Sequence, residues 1–95
     1  MIFAIIIMRE SEDMPVIARF YGIIIKMYFN DHLPPHFHAF YGEYNGLYAL
    51  NTLEMLEGDL PRRAHGMIAE WAKRNQETLL TMWSTQEFRK LDGLD

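Results

Sequence analysis

Short apolar runs separated by turn residues fill the chain from Val16 to Leu56, and this pattern constrains the fold more than any other feature. The runs are rich in isoleucine and aromatic residues, which favour strands, and glycine or polar residues separate them. Strands this short and closely spaced predict an antiparallel β-meander of about three to five strands. In chain order the runs are VIARFY, IIIKMYF, HAFY, LYAL and LEML.

The same runs predict which side chains are buried and where one turn lies. Side chains alternate along a strand, so every second residue of IIIKMYF should face the core. Asn45 and Gly46 stand between HAFY and LYAL, and we expect the hairpin turn there because Asn-Gly tolerates positive φ angles. The expected core-facing set is Ile23, Ile25, Met27 and Phe29.

A helical region is predicted after Gly58. Asp59 can cap a helix, and Pro61 is tolerated in a first turn. Apolar residues then recur at helical spacing in two groups on either side of the polar sequence RNQET, in which Asn75 can cap a new helix. We therefore expect two helices; the alternative is one helix of about 27 residues, which exceeds the usual length. The first group is Leu60, Ala64, Met67, Ile68 and Trp71, and the second is Leu79, Leu80, Trp83 and Phe88.

Strands first and helices last predict the α+β class, here a small antiparallel meander followed by two C-terminal helices packed on one sheet face. A chain of 95 residues has room for one domain. We assign residues 14–90 to this domain, residues 1–13 to an N-terminal extension and residues 91–95 to a short acidic tail.

The extension contains MIFAIIIM, which suits a strand and not a membrane helix. A membrane helix needs about 20 apolar residues, and a signal peptide carries basic residues before its apolar segment. We expect MIFAIIIM to form an extra strand and Met14 to be a plausible second start. Because an unpaired apolar strand recruits other chains, a homo-oligomer is one expected consequence.

Composition excludes several classes of function. The chain has no cysteine, which rules out disulfides, cysteine-ligated zinc, iron–sulfur clusters and thiol catalysis, and favours a cytoplasmic protein. The formal charge is -4, but the excess acid lies in residues 1–13 and 91–95, and residues 14–90 carry eight basic and eight acidic residues. This balance supports nucleic acid only weakly as a partner and argues against a membrane surface.

Residues 30–44, NDHLPPHFHAFYGEY, hold three of the four histidines and are the main candidate for chemistry. His36 and His38 should project from the same strand face and can supply two nitrogens to a divalent metal such as zinc. His32 is a candidate third ligand if the loop brings it close. Pro34 and Pro35 stiffen that loop, because proline fixes φ.

Other interpretations of these histidines stay open. His36 and His38 can act as general acid and base, with Arg62 and Arg63 stabilising a phosphate-centred charge during RNA cleavage. Against this, a basic pair in the first turn of a helix is usually solvated and opposes the helix dipole. Histidines beside turns are also often hydrogen-bonded to nearby carbonyls without further function. Asp31 can either orient His32 or cap the turn, and capping is the simpler interpretation.

The sequence from Met14, MPVIARFYGIIIKMYFNDHLPPHFHAFYGEY, followed by LEGDLPRRA and a helix with EWA, resembles a small bacterial family known as domain of unknown function 4160. The resemblance extends from about Met14 to Phe88. Its most specific part is an aromatic strand leading into Asn-Asp and then Pro-Pro-His-x-His, at residues 30–38. Residues 1–13 depart from the family pattern.

The resemblance implies a protein partner, and it implies no catalytic residue or reaction. Members are often encoded beside another small protein, domain of unknown function 2442, in pairs that resemble toxin–antitoxin modules. The first hypothesis is therefore a protein-interaction module that acts with a small protein partner, as one component of such a pair. The second is a histidine-based or metal-dependent hydrolase or RNase that uses His36 and His38.

Overall fold

Five antiparallel strands followed by one helix form the fold of residues 15–95, the part of the chain that the computed structural model describes. The strands pair in chain order, so the sheet is the meander that the sequence predicts. The extra strand predicted within residues 1–13 lies outside the described residues. The elements are β1 (Val16–Phe20), β2 (Ile23–Lys26), β3 (His36–Tyr41), β4 (Tyr44–Ala49), β5 (Met55–Asp59) and α1 (Arg62–Thr85).

The turn between β3 and β4 lies at Gly42 and Glu43, so its prediction at Asn45-Gly46 is wrong. Tyr41 pairs with Tyr44, which leaves a two-residue loop whose first residue, Gly42, has a φ of 58°. Asn45 and Gly46 lie within β4. A Cβ atom on Gly46 would lie 2.9 Å from a Leu60 methyl carbon. A glycine at this position therefore leaves the space that the buried Leu60 side chain occupies.

One helix of 24 residues replaces the two that we expected. The polar segment does not break it, because its side chains bond to carbonyl groups along the helix and beneath it. The Asn75 amide donates to the Trp71 carbonyl at 2.8 Å, and the Gln76 amide donates to the Leu50 carbonyl at 2.7 Å. Pro61 precedes the helix as its N-cap residue, whereas Asp59 belongs to β5. Within residues 15–95, no helix combines the length and apolar character needed to cross a membrane.

The core lies between the helix and one face of the sheet. Phe37 stacks on Tyr48 with ring centroids 5.1 Å apart and meets the edge of Trp71 at 5.9 Å. The core-facing set expected in IIIKMYF is confirmed: Ile23 and Ile25 in β2 and Met27 just after it are fully buried, and Phe29 is partly buried. Buried helix residues are Ala64, Ile68, Trp71, Ala72, Leu79 and Met82.

The opposite side of the sheet, here called the outer face, carries the alternate side chains of the same strands. Directly paired residues in antiparallel strands project to the same side, and the register therefore identifies the set. Helix α1 packs on the other side of the sheet, and its Trp83 contacts His36 at the end of β3 that borders this face. By register the outer face includes Val16, Arg19, Ile24, Lys26, His36, His38, Phe40, Asn45, Leu47, Ala49, Glu57 and Asp59.

Residues 86–95 return to β1 after the helix ends. The Leu91 N–H donates to the Ile17 carbonyl at 2.7 Å, and the Trp71 indole N–H donates to the Asp92 carbonyl at 2.8 Å. The side chains of Leu91 and Leu94 pack against the core. The tail thus continues the packing that begins with the helix.

Candidate metal centre

Asp31, His36 and His38 converge where the loop after β2 meets the start of β3. One ligand atom from each residue lies within 4.8 Å of the other two. The Nε2 atoms of His36 and His38 lie 2.8 Å and 3.3 Å from the same carboxylate oxygen, Oδ2 of Asp31. Two imidazole nitrogens and one carboxylate oxygen therefore point into a common space.

Strand alternation places the two histidines. His36 and His38 occupy the first and third positions of β3, and their ring centroids are 5.0 Å apart. Phe37 between them is buried on the helix side of the sheet, which anchors the strand. On the outer face, Tyr28 stacks on His38 with centroids 4.4 Å apart. The two ligand candidates are thus held by a packed strand and not by a free loop.

Contacts with the end of the helix hold the loop that carries Asp31. Asn30 has a φ of 55°, a conformation that asparagine tolerates better than most residues. Its N–H donates to the Gln86 side-chain oxygen at 2.7 Å, and the adjacent Phe29 stacks on Phe88 at 4.5 Å. These contacts fix the chain just before Asp31 and turn its carboxylate toward β3.

His36 is held by groups that leave one nitrogen for Asp31. Its side chain is 1% exposed, and the Trp83 ring lies 5.2 Å from it. The Nδ1 atom lies 2.6 Å from the Pro34 carbonyl oxygen, and because a carbonyl only accepts, Nδ1 carries the hydrogen and donates. Histidine ligands of metals commonly donate their second ring N–H to a carbonyl in this way.

The electrostatics of the cluster favour an ionised Asp31 beside a neutral His38. Burial opposes ionisation of Asp31, but hydrogen bonds with His38, with the His32 N–H and with His36 outweigh it, so its pKa lies below the ordinary value. Burial lowers the pKa of His38, and the hydrogen bond with Asp31 offsets only part of this effect. Anionic carboxylate and neutral imidazole are the protonation states that bind metals.

His32 lies at the solvent side of the cluster and outside the group of three. Its Nδ1 atom is 3.0 Å from the other Asp31 oxygen, Oδ1, and its ring centroid is 5.4 Å from that of His36. The side chain is 82% exposed. The backbone N–H of His32 also donates to Asp31 Oδ1 at 2.9 Å. His32 is therefore placed to meet a molecule that approaches from solvent.

Arg62 and Arg63 are exposed in the first turn of α1, far from the histidines. Trp83, which contacts His36, lies 20 residues after Arg63 on the same helix, and at about 1.5 Å per residue the two positions are about 30 Å apart. The sequence hypothesis grouped the arginines with His36 and His38, and the fold places the two pairs near opposite ends of the helix.

Sequence reasoning assigned Asp31 to turn capping and so missed its contact with both histidines. A signal was available, because Asp31 belongs to the same short motif as His36 and His38. Trp83 and Gln86 were not linked to the site either. They reach it only through the helix, so no local pattern could have identified them.

Comparison with known proteins assigns the chain to a family. Residues 22–84 match the family model described as domain of unknown function (DUF4160). The match covers more than half of the chain, includes the cluster, and confirms the resemblance found in the sequence. No curated protein and no solved structure matches the chain significantly.

Proposed function

We propose that this chain, which belongs to the family of domain of unknown function 4160 (DUF4160), binds a divalent transition-metal ion through Asp31, His36 and His38. The observation that carries the proposal is the 2.8 Å approach of His36 Nε2 to Asp31 Oδ2. Because Nδ1 carries the hydrogen of a neutral His36, these two atoms face each other as acceptors. A proton or a cation must lie between them, and His38 Nε2 supplies the next ligand to a cation.

The donor set supports a transition metal over calcium or magnesium. Calcium and magnesium prefer oxygen ligands, whereas imidazole suits zinc, copper, iron and nickel. Two histidines and one carboxylate form the protein ligands of several catalytic zinc sites and of non-haem iron(II) sites, and both leave coordination positions for water or substrate. Zinc is the first metal to test, since it needs no redox partner.

Hydrolysis is the activity that such a centre best supports. When bound, a zinc-type ion lowers the pKa of its water ligand toward neutrality. His32 is exposed, with its Nδ1 atom 3.0 Å from Asp31 Oδ1, and would be placed to hold or accept a proton at the solvent side of such a centre. A metal-free mechanism is less well supported, because His36 is almost fully buried and has no access to a substrate. Arg62 and Arg63 have no part in this proposal.

Metal content and binding test the proposal directly. The full chain is purified without a histidine tag, stripped with a chelator, and titrated with zinc and with cobalt(II), whose absorption reports the ligands. We expect one ion per chain and a loss of affinity of about 100-fold or more in Asp31→Asn and His38→Gln, since even outer partners of metal ligands are worth 10- to 100-fold.

His65→Gln is the matched control for this titration. His65 lies on α1, where its Nδ1 atom is 2.7 Å from the Tyr48 hydroxyl, outside the cluster. Its substitution should leave metal binding unchanged. Binding weaker than the millimolar range, or equal affinity in all three variants and the wild type, would refute the proposal.

A second candidate function is a protein-interaction module, and the outer face favours it. Ile24, Phe40 and Leu47 lie on adjacent strands of that face and are only partly buried. An adjoining set of partly exposed apolar side chains on a sheet face is typical of interaction sites. Co-purification of the chain with the product of the neighbouring gene, the partner of a toxin–antitoxin-like pair, tests this function.

A further inference from the structure

We infer that the outer face binds the outer face of a second copy of this chain in a symmetric dimer. This inference rests on the interaction-module proposal and names the partner of that surface. It does not depend on metal binding. The arrangement of charge across the sheet, and not its apolar area alone, points to a second copy.

One row of paired residues crosses all five strands on the outer face. Phe40 lies on the middle strand, and the row ends in an arginine on β1 and an aspartate on β5. The two terminal residues and Asn45 are exposed, whereas Ile24 and Phe40 are partly buried. In strand order the row consists of Arg19, Ile24, Phe40, Asn45 and Asp59.

The other charges of the outer face follow the same division. Lys26 on β2 lies on the basic side, with its ammonium group 5.3 Å from the Phe40 ring centroid. Glu57 on β5 lies on the acidic side, in the row that also contains Leu47 and His38. Cations thus occupy β1 and β2 and anions occupy β5, so within the described chain the face is polarised across the sheet.

A two-fold axis parallel to β3 makes this surface complementary to itself. Such an axis places β1 of one copy over β5 of the other and keeps the strand directions aligned, as in sheet-on-sheet packing. Arg19 then meets Asp59 of the second copy twice, and Phe40 meets Phe40 at the axis. Sheets pack about 10 Å apart, a distance that an arginine and an aspartate side chain together span.

The alternative two-fold axis, perpendicular to the strands, is disfavoured by charge. It would place β1 over β1 and β5 over β5, so Arg19 would face Arg19 and Asp59 would face Asp59. Like charges opposed across an interface suppress the wrong arrangement. The charge distribution therefore selects one of the two face-to-face dimers.

Charge reversal tests the inference on the full chain, with mass measured by light scattering and sedimentation across a range of concentrations. We expect a dimer for the wild type. Arg19→Glu and Asp59→Arg should each raise the dimer Kd about tenfold or more, because each converts two attractions into repulsions. The double variant Arg19→Glu with Asp59→Arg should restore the wild-type Kd.

Two further variants keep the test decisive. Phe40→Glu opposes two carboxylates at the axis and should give a monomer, with circular dichroism showing that the fold is retained. Arg62→Glu, an exposed charge reversal on the helix, is the matched control and should leave the Kd unchanged. None of these variants alters a metal ligand.

The outcomes separate this inference from the function on which it rests. A wild-type chain that stays monomeric, or a double variant no better than either single one, overturns the dimer. If a monomeric chain still binds the neighbouring gene product, and Phe40→Glu abolishes that binding, the interaction module stands without the dimer. Binding to neither a second copy nor that product overturns both.

Discussion

His36 Nε2 and Asp31 Oδ2 lie 2.8 Å apart, and the strand and the loop that carry them are each fixed by other contacts. On the strand side, the Pro34 carbonyl and the Trp83 ring hold the imidazole. On the loop side, Gln86 accepts a hydrogen bond from the Asn30 N–H. The pair is therefore held in place before any ligand arrives, and its spacing suits two atoms that share a proton or a metal ion.

Zinc should stabilise the wild-type protein against unfolding. A ligand that binds only the folded state adds about 2.7 kcal/mol to the free energy of unfolding when its concentration is 100 times its Kd. Urea unfolding monitored by circular dichroism, with zinc and then with excess chelator, measures the difference. The gain should vanish in His38→Gln and persist in His65→Gln. An equal gain in both variants would place the zinc elsewhere.

His36→Ala should destabilise the metal-free protein by about 2–4 kcal/mol, because it leaves a cavity beside Trp83 and an unpaired carbonyl at Pro34. His32→Ala, at a side chain that is 82% exposed, should have a much smaller effect. Urea unfolding in the presence of chelator compares the two. Similar losses of unfolding free energy in the two variants would show that burial of the His36 imidazole contributes little to stability.

Gln86 links the helix end to the loop, and its substitution should weaken both. Its side chain accepts from the Asn30 N–H at 2.7 Å and donates to the Trp83 carbonyl at 2.8 Å. Gln86→Ala should cost about 1–2 kcal/mol of unfolding free energy. Gln86→Gly should cost less, because glycine adopts the φ of 63° without strain. If the alanine variant proved the more stable of the two, the left-handed backbone at position 86 would not contribute to the loss.

The meander could be predicted from sequence because each strand carries its own signal. Isoleucine and aromatic runs alternate with turn residues, and the inward side chains of β2 follow from a period of two. The position of the β3–β4 turn could not, because Asn45-Gly46 is a strong local turn signal that packing overrides. Leu60 requires a glycine at position 46, and this requirement is tertiary.

The predictions of the helix and of the site were incomplete for the same physical reason, which is that both depend on contacts between residues far apart in the sequence. Asn75 and Gln76 looked like a break because their partners, the Trp71 and Leu50 carbonyls, are not visible in a linear pattern. His36 and His38 could be paired from strand alternation alone. Asp31 stands in the same short motif, but its contact with both histidines depends on how the loop closes. That closure involves Gln86, which lies 56 residues after Asn30 in the chain.

Two glycine substitutions should have opposite effects on stability. Gly66 lies in α1, and no atom lies within 4 Å of the position that an added methyl carbon would take, so Gly66→Ala should stabilise by about 0.5–1 kcal/mol. Gly58 has a φ of 109°, and a Cβ there would lie 2.3 Å from the Asn45 carbonyl oxygen, so Gly58→Ala should severely destabilise β5. Thermal unfolding measures both. A destabilising Gly66→Ala would contradict a continuous helix at this position.

Tyr48 should make the protein sensitive to alkali. Burial raises the pKa of its hydroxyl from 10.0 to about 12. The folded state thus keeps its proton at a pH where the unfolded chain has released it. This contribution to stability is complete below the unfolded pKa and is lost as the pH rises through the folded one, and two pKa units correspond to about 3 kcal/mol.

Tyr48→Phe isolates this effect, because it removes the titrating group and keeps the ring that stacks on Phe37. At pH 8 the variant should be less stable by about 1 kcal/mol, since it loses the hydrogen bond between the Tyr48 hydroxyl and His65. Between pH 10 and 12 the wild type should lose stability more steeply than the variant, and the difference should close. Urea unfolding at pH 8, 10 and 11 measures the two slopes. Parallel slopes would mean that the Tyr48 hydroxyl reaches solvent in the folded protein.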